Sequence, residues 1–136
     1  MDLTKAMEVS ASGMHAQGKR VRVIAENIAN SDSTAQTPGG DPYRRQVITF
    51  KSMLDRASGV EKVAVRDIKD DRVTEFGQRY EPAHPASDAE GYVKTSNVNP
   101  VIEIADMREA QRSYEANLNL IGMSKSMIQK AIDLLR

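Results

Sequence analysis

Residues that end helices are crowded into the middle of this chain and nearly absent from its flanks. Four of the five prolines (Pro38, Pro42, Pro82 and Pro85) and five of the eight glycines fall between Ser31 and Asn97. Proline removes a backbone donor and clashes with the preceding turn, and glycine carries the largest backbone entropy cost, so long helices survive only where both are scarce. Segments 1–30 and 98–136 are therefore the two able to form long helices, and 31–97 is left to short strands and turns. The fold class that follows is mostly α with a small β-containing middle. Long N- and C-terminal helices form a coiled-coil-like pair, with short hairpins between them. A chain of 136 residues makes this one structural unit in three segments.

On the first flank, Leu3, Met7, Met14, Val21, Ile24 and Ile28 follow an alternating three- and four-residue spacing, with Ser10 and Gln17 filling two positions. This is a heptad seam with two polar interruptions, on a helix of about 40 Å. In isolation it would be a poor helix, because Gly13 and Gly18 each cost about 1 kcal/mol relative to Ala. Something must pack on it. Its last turns hold Asn27 and Asn30. Asn30 suits a helix end, since Asn tolerates the left-handed conformation that terminates helices. Two roles are open to Asn27: capping a nearby carbonyl, or hydrogen-bonding an adjacent chain to set register, as buried Asn does in coiled coils.

The last flank begins on Asn99-Pro100, an N-cap residue followed by Pro at the first helical position. Acidic residues lead and Lys125, Lys130 and Arg136 come late, as the helix dipole favours. Met107, Tyr114, Ile121, Ile128 and Leu135 recur every seven residues, beside a row of smaller residues, Ala110, Asn117, Ser124 and Ala131. Leu118, Leu120, Met127, Ile132 and Leu134 widen the apolar surface beyond a single seam, which points to more than one partner helix.

In the middle, Gln46–Phe50 and Val63–Arg66 have the β-branched content and partial alternation of strands, while Thr37–Pro42 and Glu81–Pro85 read as turns. Ten basic and eleven acidic residues make this a solvated segment of balanced charge. Over the whole chain Lys+Arg and Asp+Glu are 19 each. Phosphate binding depends on a surplus of Lys and Arg, so nucleic acid is not an expected partner, even for Lys19, Arg20 and Arg22 or for Arg44-Arg45 beside Tyr43. Apolar runs never exceed three residues, which leaves no membrane-spanning stretch, and the N-terminus lacks the apolar core of a secretory signal.

Chemistry finds little purchase. The absence of Cys excludes disulfides, thiolate metal sites and thiol nucleophiles. His15 and His84 stand apart with no second His at metal-ligand spacing, and Asp67, Asp70 and Asp71 lack the Gly and terminal Glu of a calcium loop. No phosphate-cradling glycine loop or nucleophile elbow is present. The expectation is a non-enzymatic chain with no cofactor and no metal.

Ser12-Gly13-Met14-His15-Ala16-Gln17 and Val23-Ile24-Ala25-Glu26-Asn27-Ile28-Ala29-Asn30 resemble the N-terminal motif of the bacterial flagellar rod and hook protein family. Thr37–Arg45 is similar to the segment that follows in its proximal-rod members. His84-Pro85, Gly91-Tyr92-Val93, Asn97-Val98-Asn99-Pro100, Ala110–Asn117 and Lys125-Ser126-Met127 with Ala131 stand in the same order and spacing. Ser96 departs from the Pro that the family often has before Asn-Val. The similarity extends over nearly the whole chain, and the short length fits proximal-rod members better than the longer distal-rod or hook proteins.

The resemblance implies a structural subunit of the flagellar basal-body rod, the drive shaft that carries torque across the periplasm from motor to hook. It implies export without a cleaved signal peptide by the flagellar type III apparatus, helical assembly with copies of itself, and contacts with the rod proteins FlgB, FlgF and FlgG and the base adaptor FliE. Direct membrane insertion is not expected. The subunit interface is expected at Leu3, Met7, Met14, Val21, Ile24, Asn27, Ile28 and Asn30 on the first helix. On the second it is expected at Met107, Tyr114, Asn117, Ile121, Ile128 and Leu135. The heptads alone would also suit a soluble coiled-coil adaptor or export chaperone, which would stop at a small closed oligomer where a rod subunit grows.

Overall fold

Residues 2–135 are described by a computed structural model. In chain order the elements are α1 (Leu3–Ala29), β1 (Gln46–Asp55), β2 (Val60–Asp70), β3 (Gly77–Tyr80), β4 (Tyr92–Thr95) and α2 (Pro100–Leu134). Two long helices thus flank two small antiparallel hairpins, as the placement of breakers requires.

Both helices start on local side-chain chemistry. Asp2 Oδ1 accepts the Thr4 amide at 3.0 Å, and Asn99 Oδ1 accepts the Val101 amide at 3.1 Å, with Pro100 between them needing no partner. At the far end of α1, Asn30 donates through Nδ2 to the Glu26 carbonyl at 2.8 Å. No described residue other than glycine has a positive φ, so α1 ends by side-chain capping of a carbonyl and not by a left-handed Asn.

The strands run longer than β-branched content alone suggests. β1 and β2 extend past Phe50 and Arg66 because polar cross-strand pairs carry the ladder on: Ser52 Oγ donates to Glu61 at 3.2 Å, and Lys62 to Asp55 at 2.6 Å. Their turn closes through Gly59, at φ +66°, whose amide donates to the Asp55 carbonyl at 2.8 Å. β3 and β4 pair from Gly77 with Thr95 to Tyr80 with Tyr92, and the two tyrosine rings meet edge to face at 5.3 Å. Gly91 sits at φ +88° beside them, and a Cβ there would lie 2.8 Å from the Tyr80 ring, so a side chain is excluded twice over. These two short strands were not foreseen from the sequence.

The contacts divide the chain into two compact units, each drawing on all three sequence segments. One contains residues 2–21, 49–67 and 108–135. Among the described residues its buried positions are small: Ser10, Ala16, Ala110 and Ser124. The hairpin is held to α1 within this unit by Lys62, which reaches Glu8 at 2.9 Å, and by the Val63 amide on Ser12 Oγ at 3.2 Å. Gly13 faces the Asn117 side chain, and Arg20 pairs with Glu109 at 3.7 Å.

The other unit contains residues 22–48 and 68–107. An apolar cluster of Ala35, Ala86 and Val93 lies under the β3–β4 hairpin. Segment 33–35 is stitched to β4 by the Ala35 amide on the Lys94 carbonyl and the Ser96 amide on the Ser33 carbonyl. Val23, Ile24 and Val98 are buried as well, yet two of the largest fully buried side chains are polar, Glu103 and Asn27. The centre of this unit is an ionic and hydrogen-bonded cluster.

Candidate assembly surface and its polar clamp

Asn27 comes from the last turns of α1 and is 1% exposed. All four of its side-chain hydrogen-bonding positions are used within the chain. Nδ2 donates to the Gln46 carbonyl at 2.9 Å and to Glu103 Oε2 at 3.1 Å, while Oδ1 accepts the Gln46 amide and the Tyr43 hydroxyl, both at 2.9 Å. Of the two roles open from the sequence, capping is the nearer, but the backbone it caps belongs to a strand 19 residues away. Asn27 therefore has nothing left to offer a neighbouring subunit.

Glu103 enters from the first turn of α2 and is fully buried. Its other oxygen accepts Arg45 Nε at 2.5 Å. Arg45 also reaches Asp71 at 3.7 Å and Asp106 at 3.8 Å. Burial alone would lower the Arg45 pKa; the hydrogen bond and charge of Glu103, with Asp71 and Asp106, more than reverse this, and the net direction is upward. The Tyr43 hydroxyl is pushed up by burial and by the carboxylates around it, so it stays a donor to Asn27. Asp71 is held below the usual carboxylate range by the backbone and hydroxyl donors of Thr74, the Val73 amide and the charge of Arg45. Asn97 completes the clamp: it accepts the Arg45 amide at 2.7 Å and donates to the carbonyls of Asp71 and Thr74. Removing either partner of a buried ion pair typically costs about 3–5 kcal/mol, because the other charge is left stranded.

Sequence reasoning missed Glu103 and Arg45. An acid in the first helical turn is already explained by the dipole, and Arg44-Arg45 beside Tyr43 raise in sequence only the question of nucleic acid, which the balanced charge answers. The two arginines in fact part company, Arg44 lying over the Phe76 ring at 4.1 Å. Neither histidine joins the clamp: His15 is exposed, and His84 accepts the Ala86 amide through Nδ1.

Among the remaining positions singled out from the sequence, Ile24 is buried, and Leu3, Met7, Met14, Val21, Ile28 and Asn30 are half-buried. Met107, Asn117, Ile121 and Ile128 are half-buried, whereas Tyr114 and Leu135 are exposed. On α2 the line that is buried is the small row, at Ala110 and Ser124, and not the row of large residues. The second apolar row remains open to solvent. Leu120, Met123, Met127 and Leu134, at i, i+3, i+7 and i+14, are each about half exposed or more, with Leu134 at 87%. Leu118 and Ile132 flank them, and Val101, Ile102 and Ile104 are exposed near the start of the helix.

A polar clamp at the centre of one unit, with apolar rows left exposed on α2, has the character of a structural subunit. Comparisons with known proteins agree. A family model described as flagella basal body rod protein matches residues 7–35, and one described as flagellar basal body rod FlgEFG protein C-terminal matches residues 89–134. The flagellar basal-body rod protein FlgC of Agrobacterium fabrum is 49% identical over 134 residues, covering 98% of this chain and 96% of that one. That of Borreliella burgdorferi is 40% identical over 154 aligned positions, covering 100% and 99%. That of Salmonella typhimurium is 36% identical over 134 residues, covering 98% of each. The chain belongs to the FlgC family of flagellar basal-body rod proteins, structural subunits of the rod. Adaptor or chaperone function is not favoured, since these relatives are rod proteins.

Proposed function

We propose that this subunit assembles helically with its own copies and with FlgB, FlgF, FlgG and the adaptor FliE in the periplasmic part of the rod. It gets there unfolded, through the flagellar type III apparatus and without a cleaved signal peptide. Segments 1–30 and 98–136 pair in coiled-coil fashion as the helical layer, and 31–97 lies outside it against adjacent subunits. Met14, Val21, Ile24 and Ile28 bury against Met107, Tyr114, Ile121 and Ile128, within a subunit or between neighbours. Torque is then spread over many parallel helix contacts, none of which carries much load.

One observation carries this proposal: the exposed row Leu120, Met123, Met127 and Leu134. Fully burying such a side chain is worth about 1.5–3 kcal/mol, and the single chain leaves about half of that stabilisation, and more at Leu134, unused. Neighbouring subunits are the natural source of cover.

The double variant Leu120→Glu, Met127→Glu tests it in a strain lacking its own copy. Both side chains face solvent, so helicity and thermal stability of the purified subunit should match the parent. Rod assembly and swimming should be lost while the variant is still exported. Normal rods in isolated basal bodies would refute the assignment of this row to a subunit contact.

A further inference from the structure

We propose that the cluster around Arg45 is a closure latch. The last turns of α1, the segment from Tyr43 into β1, and the first turn of α2 become ordered together, so the C-terminal segment controls when the N-terminal segment is finished. This goes beyond the rod assignment and needs no second subunit.

No segment of the cluster can satisfy itself. Asn27 depends on Tyr43, Gln46 and Glu103, the last of them 76 residues away. Glu103, fully buried, has its hydrogen bonds from Asn27 and Arg45. Arg45 gives its side chain to Glu103, its amide to Asn97 and its carbonyl to the Asp71 amide at 2.7 Å. Asn97 in turn holds the Asp71 and Thr74 carbonyls. Each group is the partner of a group in another segment, and the ring closes only when residues 97–106 arrive.

A half-built ring is worse than none. Without residues 97–106, Asn27 would lose one acceptor for its Nδ2 group and the Arg45 guanidinium would lose Glu103 and Asp106 at once. A buried donor or charge in that state is costly, and the cheaper alternative is to keep the segment hydrated with the last turns of α1 unwound. Apolar packing in this unit is too thin to override that choice, since among its described residues the buried aliphatic ones larger than Ala are Val23, Ile24, Pro42, Val93 and Val98. Apolar contacts also tolerate sliding, while a set of directional bonds from one Asn to a strand and to a Glu admits a single register.

Amide exchange on the full chain tests the latch. Glu103→Ala should speed exchange at residues 22–30 and 43–48 by about thirtyfold or more, in step with residues 100–107. Exchange at 56–67, in the other unit, should stay within about twofold. Acceleration confined to 100–107, with 22–30 still protected, would overturn the proposal. In a double-mutant cycle with Asn27→Ala, a latch makes the double variant no more than about twofold faster at 22–30 than the faster single variant. Two effects that multiply would overturn it equally. If Glu103→Ala leaves too little protection to measure, Glu103→Gln takes its place, since it keeps an acceptor for Asn27 and removes the charge facing Arg45. Coupled acceleration at 22–30 then supports the latch, and acceleration at 100–107 alone refutes it.

Discussion

Gly13 and Gly18 both lie inside α1 and both cost that helix about 1 kcal/mol against Ala, but the chain's own packing asks for only one of them. A Cβ on Gly13 would stand 3.0 Å from Asn117 Nδ2 and 3.3 Å from its Cγ and Oδ1. That side chain is tied down by a 2.9 Å bond to the Ser113 carbonyl. At Gly18 no atom lies within 4 Å of the added carbon. Gly18→Ala should therefore stabilise the isolated subunit by about 0.5–1 kcal/mol, a rise of about 2–5 °C in Tm. Gly13→Ala has the same helix gain offset by displacement of Asn117 and should melt below Gly18→Ala. Thermal melts of both variants, followed by circular dichroism, give the ranking, and the reverse order would contradict the packing described. What was legible at this scale was whatever acts locally. Asn99-Pro100 caps its own helix and could be read directly, and Asn30 could be recognised as a helix end, though not the way it does so. Asn27 was visible as an oddity whose role depended on Tyr43, Gln46 and Glu103, and no local pattern announces partners at that separation.

Among the elements, the β1–β2 hairpin shows most directly how charge holds a strand to a helix. Lys62 sits between Asp55 on its own hairpin and Glu8 on α1. Its hydrogen bond and charge, with the Ala57 amide, bring the Asp55 pKa down to about 2. A carboxyl whose folded pKa lies below its unfolded value of 3.8 contributes stability that is present above about pH 4 and lost as pH falls toward 2. Asp55→Asn should flatten that part of the stability curve. Denaturant midpoints measured from pH 6 to pH 2 should fall less steeply below pH 4 in the variant, and parallel curves would show that Asp55 is not the group responsible. The helices were legible as elements because periodicity survives in sequence over 27 and 35 residues. Which row of α2 is most deeply buried was not, since the small row and the large row share the period of seven and only the partner surface distinguishes them. β3 and β4, four residues each with Arg79 and Lys94 among them, carry no strand pattern of their own and exist through their pairing and the bridge from Thr34 to Thr95.

For the molecule as a whole, the apolar surface is divided unevenly between what the chain uses and what it leaves out. The clamp spends polar groups at the centre of one unit, and the other closes on Ser10, Ala16, Ala110 and Ser124, so Leu120, Met123, Met127 and Leu134 have no place inside. A self-complementary patch would close into a dimer, whereas a row that meets a different surface on the next copy continues without closing. We expect the second behaviour. Light scattering on the purified subunit should show mass rising with concentration and no plateau at a small integer, and sulfate should strengthen the growth, because excluded salts favour apolar burial. Met123→Glu combined with Met127→Glu should stay at monomer mass under the same conditions, with α-helix content unchanged. A parent protein that levels off at two or four copies would assign this row to a closed oligomer, and growth undiminished in the double variant would place the contact elsewhere on the chain.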